Sequence, residues 1–289
     1  MSEQTDVMAA QSGVIELGGE TTVNRLGFGA MRITGSGIWG EPADPDEALR
    51  VLRRAVDLGV NFIDTAAAYG PEVSERLIAE ALHPYPDDLI VATKTGLQRS
   101  GPNAWHPDGR PETIRRECEL SLKLLRVDTI DLYQLHRPDP GVPLEDSLGT
   151  IVELRAEGKV RLIGVSNVTA DELRRAQAVT EIVSVQNRAS FGDRSSDDVL
   201  AICEADGIAF LPWAPLDGGD LTRARQLEAV AVAHDATTGQ VAIAWLLARS
   251  PMMLPIPGTS SVAHLEENWA ARKILLTKEE IAAITDARG

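Results

Sequence analysis

Four side chains that can carry charge or protons are spaced so that they could act together. Asp64, Lys94 and His136 each follow directly on a short apolar run, and Tyr69 lies in the loop five residues after Asp64. A free phenol has a pKa of about 10, and a neighbouring ammonium group lowers it. Lys94 is therefore predicted to tune Tyr69 as a general acid or base, with Asp64 keeping the ammonium charged. His136 is predicted to hydrogen-bond or polarise a substrate oxygen.

Each of these residues also has an ordinary structural explanation. Asp64 could cap the segment that follows it, and Tyr69 could pack as a loop aromatic. Lys94 could be a solvated loop charge, and His136 a hydrogen-bonded rim residue. Other apolar runs, however, also end in polar or aromatic residues: Ser166, Asn167, Gln186, Asn187 and Trp213. Polar or aromatic residues at the ends of so many apolar runs favour a functional site over separate structural roles.

Short apolar runs alternate along the chain with amphipathic segments of helical period. The sequence predicts eight strands, at residues 26–31, 62–63, 89–93, 130–135, 162–165, 182–185, 209–211 and 253–256. It predicts eight helices between and after them, at residues 46–58, 74–82, 111–125, 144–157, 170–178, 196–204, 240–248 and 262–271. The Gly18-Gly19 pair predicts a hairpin joining residues 14–17 to 21–23. Further helices are predicted at 222–234 and 278–286.

This alternation predicts an α/β fold, namely a (β/α)8 TIM barrel with an N-terminal β-hairpin and an extra C-terminal helix. An open doubly wound sheet is the competing architecture. No Pro/Ser-rich linker divides the chain, so residues 14–289 are predicted to form one barrel domain after a flexible terminus at 1–13. In a barrel, the carboxyl ends of the strands share one mouth, which would bring the polar residues together.

Composition narrows the class of partner. The 289 residues carry a formal net charge of −15, which argues against nucleic acid, a partner that needs clustered Lys and Arg. No secretory signal and no apolar run of roughly 18 residues is visible, so a cytoplasmic protein without membrane contact is predicted. Cys118 and Cys203 are predicted to be ordinary thiols in a reducing compartment. The five scattered histidines predict no metal site.

Ten short motifs stand in a fixed order along nearly the whole chain. They are GFGAMR (27–32), NFIDTA (61–66), YG (69–70), TK (93–94), DLYQLH (131–136), IGVSN (163–167), VQN (185–187), WAPL (213–216), IPGTS (256–260) and EN (267–268). In this order they resemble the aldo-keto reductase family. The resemblance implies a barrel that reduces carbonyl groups with NADPH, without metal or flavin. It implies Tyr69 as the proton donor, with Asp64, Lys94 and His136 completing a catalytic tetrad.

The resemblance also assigns residues to the cofactor. Ser166, Asn167 and Gln186 would hold the nicotinamide carboxamide, and Trp213 would stack on the ring. The nicotinamide end would be lined by Gly29, Ala30, Met31 and Arg32. The pyrophosphate would lie beneath Pro215, Leu216 and the loop 217–221. The adenosine and its 2′-phosphate would meet Gly258, Thr259, Ser260, His264, Glu267 and Asn268. Many relatives carry Lys or Arg near Gly258 and Arg at His264, so the use of NAD beside NADPH stays open.

The substrate is predicted as a small aldehyde or ketone. Within the family, the loop 37–40 and residues 259–265 resemble bacterial pyridoxal reductases, which implies reduction of pyridoxal to pyridoxine. Trp39 and Trp105, both in predicted loops, are hypothesised to wall the pocket, although either could instead anchor its loop against the barrel. The alternative function is an NADPH-binding sensor with little turnover, like the potassium-channel β subunits of the same fold. A monomer or small homo-oligomer is predicted.

Overall fold

The computed structural model describes residues 13–216 and 225–286. The strands are β1 (Val14–Leu17), β2 (Thr21–Asn24), β3 (Phe28–Gly29), β4 (Phe62–Asp64), β5 (Ile90–Thr95), β6 (Leu97–Gly101), β7 (Ala104–Pro107), β8 (Ile130–Leu135), β9 (Val160–Ser166), β10 (Ser184–Gln186) and β11 (Ala209–Phe210). The α-helices are α1 (Pro45–Asp57), α2 (Val73–Leu82), α3 (Pro111–Leu125), α4 (Leu144–Ala156), α5 (Ala170–Val179), α6 (Asp197–Asp206), α7 (Arg225–Ala233), α8 (Thr238–Arg249), α9 (Val262–Ala270) and α10 (Lys278–Asp286).

Seven parallel strands form a sheet in the order β11-β10-β9-β8-β5-β4-β3. Residues 253–257 join its two edges, because Leu254 N donates to Phe210 O at 2.8 Å and Gly27 N donates to Pro255 O at 2.9 Å. The sheet is thereby closed, which confirms the predicted barrel and excludes the open doubly wound sheet. Pro255 and Pro257 lack an N–H, so this eighth run lies between its neighbours with only a few bonds rather than a continuous ladder.

The N-terminal hairpin covers the amino-terminal end of the barrel, opposite the mouth formed by the carboxyl ends of the strands. β1 and β2 pair antiparallel, and the turn between them places Gly18 and Gly19 at φ values of +60° and +66°. Ile15, Leu17 and Val23 are buried in one cluster with inward-facing strand residues such as Phe62, Ala92, Leu132 and Leu162. The hairpin therefore supplies apolar side chains that fill the amino-terminal end of the barrel core.

The predicted helices match the observed ones within two residues, except that α7 is described only from Arg225, so 222–224 lie outside the described residues. Three strand predictions were wrong in detail, one of them at 253–256, where Met253 makes only an isolated bridge with Phe210. The strand predicted at 26–31 ends at Gly29, and Ala30–Ile33 form a 3-10 turn instead. The strand predicted at 209–211 ends at Phe210, and Trp213 makes only an isolated bridge with Arg188. The β6–β7 hairpin was not predicted, since its polar residues resemble a loop.

Strand register places the chemistry-bearing residues. Along β5, Ala92 faces the barrel interior, so Lys94, two residues further, faces inward as well. Lys94 lies opposite Gln134 in the pairing of β5 with β8. Thr93 and Thr95 face the helices instead, where each donates a hydrogen bond to a buried glutamate. The mouth of the barrel therefore has a polar inner layer above an apolar core.

None of the described helices is both long and apolar enough to cross a membrane. Cys118 and Cys203 are both buried as free thiols, and burial raises the pKa of each to about 12.

A buried carboxyl group lies between helix α2 and the outer face of β5. Glu75 is fully buried, and Thr93 Oγ1 donates to its Oε1 at 2.6 Å. Glu75 Oε2 finds no hydrogen-bond partner within the described part of the chain. Burial raises the pKa of Glu75 to about 7, because the charged form loses its hydration. The native state therefore holds the proton more tightly than an unfolded chain does.

Glu75 is expected to make stability fall as pH rises. Its contribution is complete below pH 4.5, the ordinary glutamate pKa, and is lost as pH rises through about 7. This shift in pKa corresponds to a change of at most about 3 kcal/mol in the free energy of unfolding. Glu75→Gln, which stays neutral, should therefore gain stability relative to the wild type between pH 5 and 8, as measured by urea unfolding. Glu204→Gln, at an exposed position of α6, is the matched control. A difference between Glu75→Gln and wild type that does not change with pH would contradict this assignment.

Candidate active site

A buried ion pair lies at the carboxyl end of the barrel. Lys94 Nζ donates to Asp64 Oδ2 at 2.6 Å and to the carbonyl oxygen of Thr65 at 2.8 Å. The same ammonium lies 3.4 Å from the hydroxyl oxygen of Tyr69 and 5.0 Å from the centre of its ring. All three side chains are buried. The structure therefore brings the predicted proton donor Tyr69, the tuning charge Lys94 and its partner Asp64 within contact of one another.

The second oxygen of Asp64 is held by two amides. Gln134 Nε2 donates to Asp64 Oδ1 at 3.1 Å, and Gln186 Nε2 donates to it at 2.9 Å. With Lys94 on the other oxygen, the carboxylate accepts three hydrogen bonds, which fix its position. Gln134 was missed in the sequence, although an inward-facing polar residue two positions after Leu132 in a buried strand was a visible signal.

Electrostatics favour a charged lysine and a protonated tyrosine. Burial opposes the charge on Lys94, but Asp64 and Tyr69 outweigh it and raise the pKa of the ammonium. Burial also raises the pKa of Tyr69, while the Lys94 charge acts in the opposite direction. The sequence predicts that Lys94 lowers this pKa, and as a net direction that was wrong, because the depth of burial cannot be seen in the sequence. Tyr69 therefore holds its proton at neutral pH.

His136 stands beside the phenol as a neutral imidazole. Its ring centre lies 5.8 Å from that of Tyr69 in an edge-to-face arrangement. Burial, and then the charges of Lys94 and Arg137, put the pKa of His136 well below its ordinary value. Nδ1 is buried and makes no hydrogen bond to any described residue. The ring therefore retains hydrogen-bonding capacity next to the reacting phenol.

Two tryptophans lie on the outer side of this group. Trp105 packs edge-to-face against Tyr69 and His136, with ring centres 6.5 Å and 6.4 Å apart. It was predicted to lie in a loop, but it is on strand β7 of the hairpin. Trp39 is 37% exposed and lies on the far side of Arg99, whose guanidinium is 5.6 Å from the Trp39 ring centre and 3.7 Å from that of Trp105. Trp105 alone therefore contacts the phenol and the imidazole.

Residues at the ends of β9 and β10 form a second polar group. Asn167 Nδ2 donates to the carbonyl oxygen of His136 at 3.0 Å, and Trp213 Nε1 donates to Asn167 Oδ1 at 3.0 Å. Ser166 Oγ donates to the carbonyl oxygen of Gln186 at 2.7 Å. The indole of Trp213 is half-buried and held in orientation by Asn167. The Gln186 amide nitrogen already donates to Asp64, so this amide can offer another partner only its second N–H and its oxygen.

A third group lies around the 3-10 turn and the start of α9. A Cβ on Gly258 would lie 2.4 Å from the carbonyl oxygen of Gly29, so the two backbones touch there. Arg32 is exposed next to Gly258, with its Cγ 3.7 Å from that Cβ position. The other predicted cofactor residues of this region differ in exposure: Met31, Leu216 and Glu267 are half-buried, Ala30, Pro215, Thr259 and Asn268 are buried, and Ser260 and His264 are exposed. Residues 217–221 lie outside the described residues.

These three groups fit a dinucleotide. An oriented indole ring and side-chain amides suit a nicotinamide, whereas the exposed Arg32, Ser260 and His264 suit a phosphate. Across residues 13–216 and 225–286, no three His, Cys, Asp or Glu side chains are grouped as metal ligands.

A closed barrel with a buried lysine, aspartate and tyrosine at its mouth defines a class of oxidoreductase, and comparison with known proteins identifies the class. The model of the aldo/keto reductase family matches residues 25–288, and the chain belongs to that family. It is an NADP-dependent carbonyl oxidoreductase.

Similar proteins agree with this assignment. An uncharacterized oxidoreductase of Schizosaccharomyces pombe is 49% identical over 97% of this chain and 91% of its own length. Pyridoxine 4-dehydrogenase of Escherichia coli is 42% identical over 92% of this chain and 95% of its own length. The crystal structure of an aldo/keto reductase from Klebsiella pneumoniae in complex with NADP and acetate is 26% identical, with a TM-score of 0.80 over 94% of this chain and 93% of that one.

Proposed function

We propose that this enzyme reduces small aldehydes, pyridoxal among them, to alcohols with NADPH, and that Tyr69 is the proton donor. The observation that carries the proposal is the protonated, buried phenol of Tyr69 lying 3.4 Å from the charged Lys94. The 42% identity to pyridoxine 4-dehydrogenase supports pyridoxal as one substrate.

The side chains of the tetrad divide the proton chemistry between them. NADPH, when bound, supplies the hydride for the carbonyl carbon. Tyr69 donates its phenolic proton to the carbonyl oxygen, and Lys94 stabilises the phenolate that remains. Asp64 keeps the ammonium charged and fixed, because both its oxygens are held. His136, as a neutral ring, hydrogen-bonds the carbonyl oxygen and orients it toward the phenol.

The cofactor is proposed to lie along the other two groups. Trp213 stacks on the nicotinamide, and Ser166, Asn167 and Gln186 bind its carboxamide. The remaining contacts are assigned to Gly29, Ala30, Met31, Arg32, Pro215, Leu216, Gly258, Thr259, Ser260, His264, Glu267 and Asn268. Ser260 and His264, with Arg32 nearby, are the candidates for the 2′-phosphate.

Trp39 and Trp105 are proposed as the wall of the substrate pocket. Trp105 supports this role because its ring packs at a steep angle against both Tyr69 and His136, where an aldehyde must approach. An indole face at that place favours a flat, aromatic aldehyde. That the enzyme acts as a monomer or small homo-oligomer in the cytoplasm stays a prediction.

Turnover of NADPH tests the proposed function against the sensor alternative. Purified protein is mixed with NADPH and either pyridoxal or benzaldehyde, and NADPH consumption is followed by absorbance, with cofactor binding measured separately by fluorescence. We expect consumption with both aldehydes and a higher kcat/KM for pyridoxal. A protein that binds NADPH but consumes none with either aldehyde would favour the sensor. A higher kcat/KM for benzaldehyde than for pyridoxal would support the reductase activity but contradict pyridoxal as a preferred substrate.

A further inference from the structure

Arg99 connects three segments around the candidate active site. It lies on β6, and its guanidinium donates only to backbone carbonyl oxygens of those segments. The acceptors are Gly37 at 2.9 Å, Ile38 at 2.6 Å, Ala68 at 3.0 Å, Gly101 at 3.1 Å and Ala104 at 3.3 Å. They belong to the loop 35–40, the loop 65–70 that carries Tyr69, and the β6–β7 hairpin. A guanidinium has five N–H groups in a planar fork, so a single side chain can bind all three segments at once.

The same guanidinium also orients both tryptophans. It lies between the Trp39 and Trp105 rings, at 5.6 Å and 3.7 Å from their centres, which are cation–π distances. No carboxylate of the described residues forms an ion pair with it. Among the described residues, the charge contacts carbonyl dipoles and indole faces, so its position depends on the geometry of the loops that it joins.

The hairpin that carries Arg99 is fixed at its base. Glu117 of α3 accepts hydrogen bonds from Thr95 Oγ1 at 2.6 Å, from Gly96 N at 2.8 Å and from the Gln98 side chain. At the tip, Asn103 N donates to the carbonyl oxygen of Gly37 at 3.1 Å. The hairpin is thus tied to the barrel at one end and to the loop 35–40 at the other, with Arg99 between the two ties.

We propose that Arg99 is a positioning residue for the aldehyde, which fixes the Tyr69 loop and the Trp39–Trp105 wall as one rigid unit. This inference rests on the proposed function, since it takes Tyr69 as the acid. Because the carbonyl groups occupy its donors, Arg99 acts by holding the pocket and does not bind the carbonyl oxygen of the substrate. Its loss should therefore weaken aldehyde binding and misplace Tyr69, while the NADPH site around Asn167 and Trp213 stays intact.

Arg99→Lys is the decisive variant, because it keeps the positive charge but cannot reach the three segments together. We expect its kcat/KM for pyridoxal and for benzaldehyde to fall by about 10²-fold, mainly through KM, with the NADPH dissociation constant unchanged. Trp39→Ala should reproduce the rise in KM. In a Tyr69→Phe background, the rise in KM caused by Arg99→Lys should persist, because it comes from the wall, whereas any loss of kcat should disappear, because the acid that Arg99 positions is absent. Arg116→Lys, at an exposed arginine of α3, is the matched control and should change neither KM nor kcat.

Hydrogen exchange separates a failure of this inference from a failure of the proposed function. In Arg99→Lys, amide exchange should accelerate in 35–40, 65–70 and 97–107 together and stay unchanged around Trp213, whether or not any aldehyde is turned over. Wild-type exchange in those segments together with wild-type KM would overturn the inference. Absence of turnover in the wild type would overturn the proposed function instead. Arg99→Met, which removes the charge and all five donors, is the more drastic variant, and if it fails to fold the lysine variant still decides the matter.

Discussion

Tyr69→Phe is expected to lower kcat for aldehyde reduction by about 10²–10⁴-fold, the usual contribution of a positioned general acid. The substitution removes only the hydroxyl group that lies 3.4 Å from Lys94 Nζ, and the ring keeps its contacts with Trp105 and His136. NADPH affinity should stay within about twofold of wild type, because the residues assigned to the nicotinamide are untouched. Stopped-flow single-turnover measurement of NADPH consumption isolates the chemical step from product release.

Tyr85→Phe is the control for loss of a partly buried tyrosine hydroxyl. Tyr85 donates to the carbonyl oxygen of Leu125, the last residue of α3, at 2.7 Å. Its removal should cost stability of about 1 kcal/mol and leave kcat unchanged. A Tyr69→Phe enzyme with wild-type kcat would show that the proton comes from another group and would contradict the assignment of Tyr69 as the acid.

The direction of the Tyr69 pKa gives the pH dependence of that chemistry. Burial raises the pKa above 10, so the donor form persists through the neutral range. Reduction, which needs the proton, should fall only above that pH, whereas alcohol oxidation needs the phenolate and should rise with pH. Because the neutral form of His136 also dominates at neutral pH, its titration adds no step there.

The sequence predicted the residues of the site better than it predicted their environment. Asp64, Lys94 and His136 could be placed together because parallel strands of a barrel end at one mouth, and the apolar periods mark where each strand ends. The inward orientation of Lys94 follows from alternation along β5. Gly59, Gly158 and Gly207 follow helices at positive φ, as their place after a helical pattern predicts.

Other features depend on contacts that no residue pattern records. Arg99 bonds to backbone carbonyl groups, which every residue has, so nothing in the sequence marks its partners. The polar run at Gln98 and Arg99 resembles a loop, and the hairpin exists because Glu117 and Arg99 hold it. Glu75 lies on an amphipathic helix, where a glutamate usually faces solvent. Here it faces β5 instead, and Thr93 of that strand donates a hydrogen bond to it. The pKa directions of Tyr69 and Glu75 depend on burial, which only the packed fold determines.

Lys94→Met is expected to cost about 3–5 kcal/mol of unfolding free energy as well as nearly all turnover. The substitution leaves the Asp64 carboxylate buried, with only the Gln134 and Gln186 amides as donors. It also removes the donor to the Thr65 carbonyl oxygen and the charge that stabilises the Tyr69 phenolate. Urea unfolding at pH 7 measures the first effect, and NADPH consumption measures the second.

The double variant Asp64→Asn/Lys94→Met separates the two effects. Neutralising the aspartate removes the uncompensated buried charge, so the double variant should regain much of the lost stability. It should regain no turnover, because the ammonium beside Tyr69 is still missing. Lys159→Met is the control for loss of an ordinary ion pair: its ammonium contacts Glu119 and Glu157 at 2.6 Å and 2.8 Å near the surface, and its loss should cost less than about 1 kcal/mol. A double variant no more stable than Lys94→Met would contradict the assignment of the lost stability to the unpaired Asp64 side chain.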